Sequence, residues 1–296
     1  MTDAIRSYDR DNLIRRIRDT FPAIPINRVR RIADGQNNDV LVIDDAWVFR
    51  FPRTLEGARA LAREVAVLHE IGANLPLTTP HPELVHTPDG GEAEWFAGYR
   101  RIPGRPLTRT RVQRLSPRDL SVLAGQLADF LATLHSEPLS PARRATLPLE
   151  DPFIVWSDML ARIERHLFPL MRKDARSAVQ AHFSTFLASV GGETLPQALI
   201  HGDFGGTNLL LAENSPRVHA VIDWGSAAIG DPAVDYAAAS TLHPDLLDLM
   251  ERHNSAVSAF VDRVSFYTGT FALQEALFGA EHDDREALES GLSNYV

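Results

Sequence analysis

The 296-residue chain contains no cysteine, so it has neither a disulfide framework nor a thiolate metal site. It contains a single lysine, Lys173, and every other basic residue among its 30 is arginine. No apolar run approaches the roughly 18 residues that a membrane helix needs, so no membrane association is expected. The opening stretch MTDAIRSYDRDNL is too polar to read as a signal peptide, and a cytoplasmic location is expected. Positive charge is in deficit: 30 Lys and Arg against 39 Asp and Glu give a formal net charge of -9. That argues against a nucleic-acid partner, which calls for a basic face, and is compatible with a cationic ligand.

What is present is ordinary globular composition, 44% hydrophobic and 23% charged. The length suits one large or two intimately packed domains, expected as a monomer or weak homodimer. Leu13, Ile14, Ile17 and Phe21 are spaced for one face of a short helix. INRVRRIADG, DVLVIDD and AWVFRFP then read as strands, with turns at Gly35 and Asp44-Asp45. LEGARALAREVAVLHEIG reads as a helix closed by Gly72, and AEWFAGYRRIPG as a further strand ending in a Pro-Gly turn. Beyond Gly104 the pattern is mainly helical, led by Leu120, Leu123, Leu127, Phe130 and Leu134, with helices also expected near 152–170 and 174–190. The expected fold is therefore α+β: a small antiparallel-sheet lobe over 1–101, a linker over 102–107, and a large helical lobe over 108–296 with one short β insert at 198–223.

That insert concentrates the chemistry. LIHGDFGGTNLLL places Asp203 and Asn208 in a glycine-bearing loop between two short apolar runs. After the turn AENSPR, VHAVID returns as a partner strand and delivers Asp223 beside Asn208. Oxygen ligands of this kind suit a hard cation such as Mg²⁺, and a remaining carboxylate suits a proton acceptor for a substrate hydroxyl. Each of these residues alone is an ordinary turn former. Together, H-x-D-x4-N followed by an apolar run and Asp-x-Gly has the Asp-to-Asn step and the later metal-binding Asp of kinases.

On HGDFGGTN and VIDWGSAAIGDPAVDYA the chain resembles the aminoglycoside phosphotransferases, antibiotic kinases related to protein kinases, and VFRFPR and SFYTGTFALQEALFG resemble the 2″-type branch. The resemblance implies a two-lobed kinase-like fold and Mg²⁺-dependent transfer of a phosphoryl group from ATP or GTP to a hydroxyl of a small cationic molecule. An aminoglycoside is the first expectation. A macrolide or a metabolite alcohol of the choline or homoserine type is the second, and a kinase-fold binding protein without activity the third. Asp203 is implied as catalytic base, Asn208 and Asp223 as metal ligands, and His201 as a packing residue of the loop. Asp231 and Asp235 read as caps and loop anchors.

A kinase-like small lobe also needs a cation on a central strand to hold phosphates. In AWVFRFP, Trp47, Phe49 and Phe51 share one face and Val48 and Arg50 the other, which puts Arg50 where relatives carry lysine. Arginine binds phosphate bidentately but is not a neutral replacement for lysine. Glu64 is the expected helix partner of Arg50. ADGQNND is the expected phosphate loop, with Asn37 or Asn38 reaching a phosphate. The resemblance implies that Tyr99 takes the gatekeeper place and that the main chain of Arg100 and Ile102 forms the purine-binding hinge. Asp245, Asp248, Glu251, Glu275 and the run 281–284 offer acids to an ammonium-bearing acceptor, although most read as a solvated helix face.

Overall fold

A computed structural model describes residues 9–32, 38–87, 94–191, 195–213 and 215–296. In chain order it begins α1 (Arg10–Thr20), β1 (Val29–Ile32), β2 (Asn38–Ile43), β3 (Trp47–Pro52), α2 (Leu55–Ile71), β4 (Pro82–His86), β5 (Phe96–Arg100) and β6 (Arg105–Pro106). Helices α3 (Arg109–Val112), α4 (Pro117–Ser136), α5 (Pro141–Arg144), α6 (Pro152–His166) and α7 (Lys173–Val190) follow. Four short strands come next, β7 (Ala198–Ile200), β8 (Leu209–Leu211), β9 (Val218–Val221) and β10 (Ala228–Gly230). Helices α8 (Ala233–Ser240), α9 (Leu246–His253), α10 (Val261–His282) and α11 (Arg285–Leu292) complete the chain. Among the described residues no helix is long and apolar enough to cross a membrane.

The chain divides into two compact units: residues 1–107, 137–147 and 207–227 in the first, and 108–136, 148–206 and 228–296 in the second. This differs from a single cut at the linker. Strand pairing is the reason: β8 takes β6 on one side and β9 on the other, and Thr78 bridges Ala220. The segment 207–227 is thereby tied to the first unit.

The first unit is built on a five-stranded antiparallel sheet in the order β1-β2-β3-β5-β4. Period-two alternation sends Trp47, Phe49 and Phe51 into one core with Leu41, Ile43 and Phe96, which Leu13 and Ile17 of α1 cover. Ile14 and Phe21 pack at its margin, so the apolar face expected of this helix is the one it buries. The other sheet face packs Ala97 against Leu61 and Val65 of α2. Thr54 caps α2 by accepting from the Gly57 N–H at 3.0 Å, and the Gly72 N–H closes it on Leu68 O. Strand β4 was not anticipated. It lies at the sheet edge, where Pro82 is tolerated.

In the second unit α4 buries Leu120, Leu123, Leu127, Phe130 and Leu134, the predicted stripe. Helices α6, α7 and α10 meet in an aromatic cluster of Trp156, Phe183, Phe186, Phe266 and Tyr267. Strand β7 pairs with β10, a three-residue strand too short to carry a sequence signal.

Candidate active site

In the first unit, strand β3 delivers Arg50 to the face opposite the aromatic core, where its guanidinium is almost wholly buried. Burying a cation is costly unless carboxylates meet it. Arg50 Nη1 donates to both carboxylate oxygens of Glu64 at 2.7 Å, and Nη2 to Asp223 Oδ1 at 2.9 Å. Burial works against the Arg50 charge, but the Glu64 and Asp223 carboxylates outweigh it and hold the guanidinium above its ordinary value. Burial pushes the Glu64 carboxyl upward, while Arg50 pulls it down, and Glu64 also accepts from the Trp224 N–H. Tyr99 stands opposite Val48 in the β3–β5 pair, near the Arg50 charge. Burial pushes its hydroxyl up to about 12, so it stays protonated at neutral pH.

The hairpin β8–β9 sets the other members. Its register pairs Leu209 with Val221, and one step further the Ile222 N–H donates to the Asn208 carbonyl at 2.9 Å. Asp223 follows immediately, with a half-exposed side chain and φ of 64°, a backbone conformation rare for a residue with a Cβ. Asn208 is buried.

The remaining first-unit expectations divide. Asn37 lies outside the described residues. Asn38 opens β2 with its side-chain Oδ1 buried and without a hydrogen-bond partner. Its neighbour Asp39, unremarked in the sequence, accepts from Arg31 and Arg53, and those arginines hold its carboxyl below the usual range against the cost of burial. At the end of β5 the Arg101 N–H donates to Ala46 O at 2.8 Å. By antiparallel alternation the flanking main-chain groups of Arg100 and Ile102 turn away from β3. The Arg100 guanidinium lies over the Trp47 ring at 3.9 Å from its centroid.

In the second unit, His201 is fully buried and its Nδ1 accepts from the Asp203 N–H at 3.2 Å. Asp235 on α8, also fully buried, accepts from the main-chain N–H groups of His201 and Gly202, each at 2.9 Å, and pairs with His135 Nε2 at 3.0 Å. Gly202 has a φ of 78°, which suits glycine. These bonds fix the turn that leaves Asp203 exposed. His135 was missed: it ends α4 one hundred positions before its partner, and no local pattern links them.

Asp203 lines a pocket of about 350 Å³ together with Glu150, Asp231, Trp156, Tyr267 and Phe271. Asp231 accepts from Arg263 Nε at 2.7 Å, the Tyr267 hydroxyl at 2.8 Å and the Ala233 N–H at 3.0 Å. None of Asp245, Asp248, Glu251, Glu275 or the acids at 281–284 lines this pocket. Two of them have other work: Glu281 pairs with Arg162 and Asp284 caps α11. Of the acids that do line it, Asp203 was expected at the acceptor hydroxyl, Asp231 was read as a cap or loop anchor, and Glu150 was not singled out.

A model of the phosphotransferase enzyme family matches residues 28–261. The chain is 32% identical over 269 residues to viomycin phosphotransferase of Streptomyces vinaceus, covering 89% of this chain and 91% of that one. Among solved structures it is similar to the GDP and kanamycin complex of an aminoglycoside 2″-phosphotransferase, with a TM-score of 0.87, 24% identity and 96% of each chain covered. It is also similar to a macrolide 2′-phosphotransferase type I, with a TM-score of 0.75, 21% identity and coverage of 100% and 99%. These two likenesses are of fold, and the fold is kinase-like.

Proposed function

The chain belongs to the phosphotransferase enzyme family, and on that footing we propose that Asp203 is the base of a kinase that phosphorylates a hydroxyl of a small cationic molecule. The reaction class, nucleoside-triphosphate-dependent transfer to an alcohol, is that of the family. The hydroxyl oxygen forms a bond to the terminal phosphorus as the bond to the bridging oxygen breaks, releasing the nucleoside diphosphate. Asp203 takes the hydroxyl proton, and the Asp235, His135 and His201 bonds keep the Asp203 turn from collapsing when the carboxylate accepts it.

The observation that carries this reading is the Arg50 cluster. A guanidinium buried against Glu64 and Asp223 is a built feature, not a solvated surface arginine. It stands in for the usual lysine as the cation that balances phosphate charge. Asn208 and Asp223 offer oxygen donors, and among the described residues no cluster of three or more His, Asp or Glu side chains forms a protein-only cage. That donor set fits Mg²⁺, which fills its shell with water and phosphate oxygens and, when bound, neutralises phosphate charge. The main-chain groups of Arg100 and Ile102 and the amide of Asn38 are proposed to hold the purine and a phosphate of ATP or GTP.

Two variants test the assignment in a coupled assay of nucleoside diphosphate release and in nucleotide titrations by calorimetry. Asp203→Ala is expected to lower kcat by about a thousandfold with nucleotide affinity nearly unchanged. Asp223→Ala is expected to remove the Mg²⁺-dependent part of nucleotide binding. Near-normal kcat in Asp203→Ala would take the role of base away from this residue.

A further inference from the structure

The pocket at Asp203 has three carboxylates in its wall, Glu150, Asp203 and Asp231, and no basic side chain. The three are in different states. Asp231 is already matched by Arg263 and the Tyr267 hydroxyl. Asp203 is the proposed proton acceptor. Glu150 has neither commitment: its main-chain N–H goes to Ile229 O, while its carboxylate makes no hydrogen bond or ion pair among the described residues. Burial, with the charge of Asp235 behind it, holds that carboxyl above its usual range. A half-buried carboxylate without a cation is costly, and a cationic ligand group removes the cost.

The rest of the wall is apolar and aromatic, and includes Val155, Met159, Trp156 and Phe271. The apolar surface runs on outside. Six large hydrophobic side chains are exposed among the described residues, and four of them lie between Leu149 and Val155: Leu149 at 66%, Phe153 at 45%, Ile154 at 65% and Val155 at 36%. Val155 also lines the pocket, so the exposed run borders the pocket wall. Exposed apolar side chains beside a pocket offer cover to the apolar part of a ligand.

We propose that the pocket takes an amphiphilic alcohol carrying one protonated amine. The ammonium group sits on Glu150, the apolar body lies against Trp156 and Phe271 and extends over Phe153 and Ile154, and the acceptor hydroxyl reaches Asp203. Only the last contact rests on the phosphotransfer reading. A polycationic sugar fits this wall poorly: it needs a carboxylate for each ammonium group it buries, and it would leave the apolar run in water.

The test uses erythromycin, with one dimethylamino group on a large apolar ring, against kanamycin and viomycin, which carry several cationic groups. Initial rates with ATP and with GTP are measured beside calorimetric binding of each compound. Wild type is expected to bind and phosphorylate erythromycin in preference to the other two. Glu150→Gln, nearly isosteric, is expected to raise the erythromycin KM about tenfold with kcat within about twofold. Phe153→Ser and Ile154→Ser are each expected to raise it about threefold or more, with sedimentation of the protein unchanged. Preference for kanamycin or viomycin, an unchanged KM in Glu150→Gln, or an effect of Phe153→Ser on self-association alone would each overturn the proposal. If no compound is phosphorylated but erythromycin binds and Glu150→Gln loses that binding, the phosphotransfer reading fails and this one stands. If erythromycin does not bind at all, this one fails.

Discussion

The two units hold their charges in opposite ways. In the first, the Arg50 guanidinium is enclosed by Glu64 and Asp223, and Asp39 by Arg31 and Arg53, so each buried charge has its partner within the protein. In the second, the pocket wall leaves Glu150 without a cation and Asp203 exposed. A phosphate-handling site works on a ligand whose charge is the same in every turnover, so its cations are set in advance and held rigidly. An acceptor pocket instead leaves its charge open, to be completed by the one ligand that brings the complement. The difference separates groups that stabilise the protein from groups that serve only the ligand, and stability measurements on single variants can break or sharpen it.

The largest loss is expected where compensation is complete. Arg50→Met removes the cation between two carboxylates and strands Glu64 in a buried place. The expected cost is about 3–5 kcal/mol in urea unfolding. A cost below about 1 kcal/mol would mean that the cluster relaxes easily and that the first unit is not charge-matched as described. Next comes Asp235→Ala in the second unit, which leaves the His201 and Gly202 N–H groups and His135 without their acceptor. About 3 kcal/mol is expected, together with a fall in kcat as the Asp203 turn loosens. This variant sharpens the comparison: the second unit is charge-matched too, wherever a charge holds the backbone and not the ligand.

How far these groups could be read from the sequence follows the same division. Arg50 was legible because its strand alternates, and Glu64 because the next helix offered it as the partner of Arg50. The hairpin that brings Asn208 and Asp223 together was legible because its strands and turn are contiguous in sequence. The partners of Asp235 and Asp231 were not. His135 lies one hundred positions upstream of Asp235, and Arg263 thirty-two downstream of Asp231, so only folding brings them together. Glu150 was invisible for another reason. It follows TLPL in a segment with no period, and its significance lies in the partner it lacks. The assignment of 207–227 to the first unit was hidden as well, because it depends on β8 finding β6 across a hundred residues of helix.

Where a carboxylate stands exposed, effects on stability should be small. Asp203→Ala is expected to change unfolding free energy by less than about 0.5 kcal/mol while lowering kcat about a thousandfold. A loss of several kcal/mol would make Asp203 a structural residue and would weaken its place as base.

The smallest and most specific effect belongs to Glu150, and its sign follows from burial. The folded protein holds this carboxyl above its usual range, so it binds the proton more tightly when folded than when unfolded. The resulting stabilisation is fully present below the unfolded pKa and is lost as pH rises through the raised folded value. Glu150→Gln is neutral at every pH, so it should melt with wild type at pH 4 and above it at pH 8. A saturating cationic ligand should reverse the order at pH 8, because only wild type then completes an ion pair. If Glu150→Gln melts lower than wild type at pH 8 without ligand, the carboxylate already has a partner within the protein. The contrast between a matched first unit and an open acceptor pocket would then fail at the residue on which it most depends.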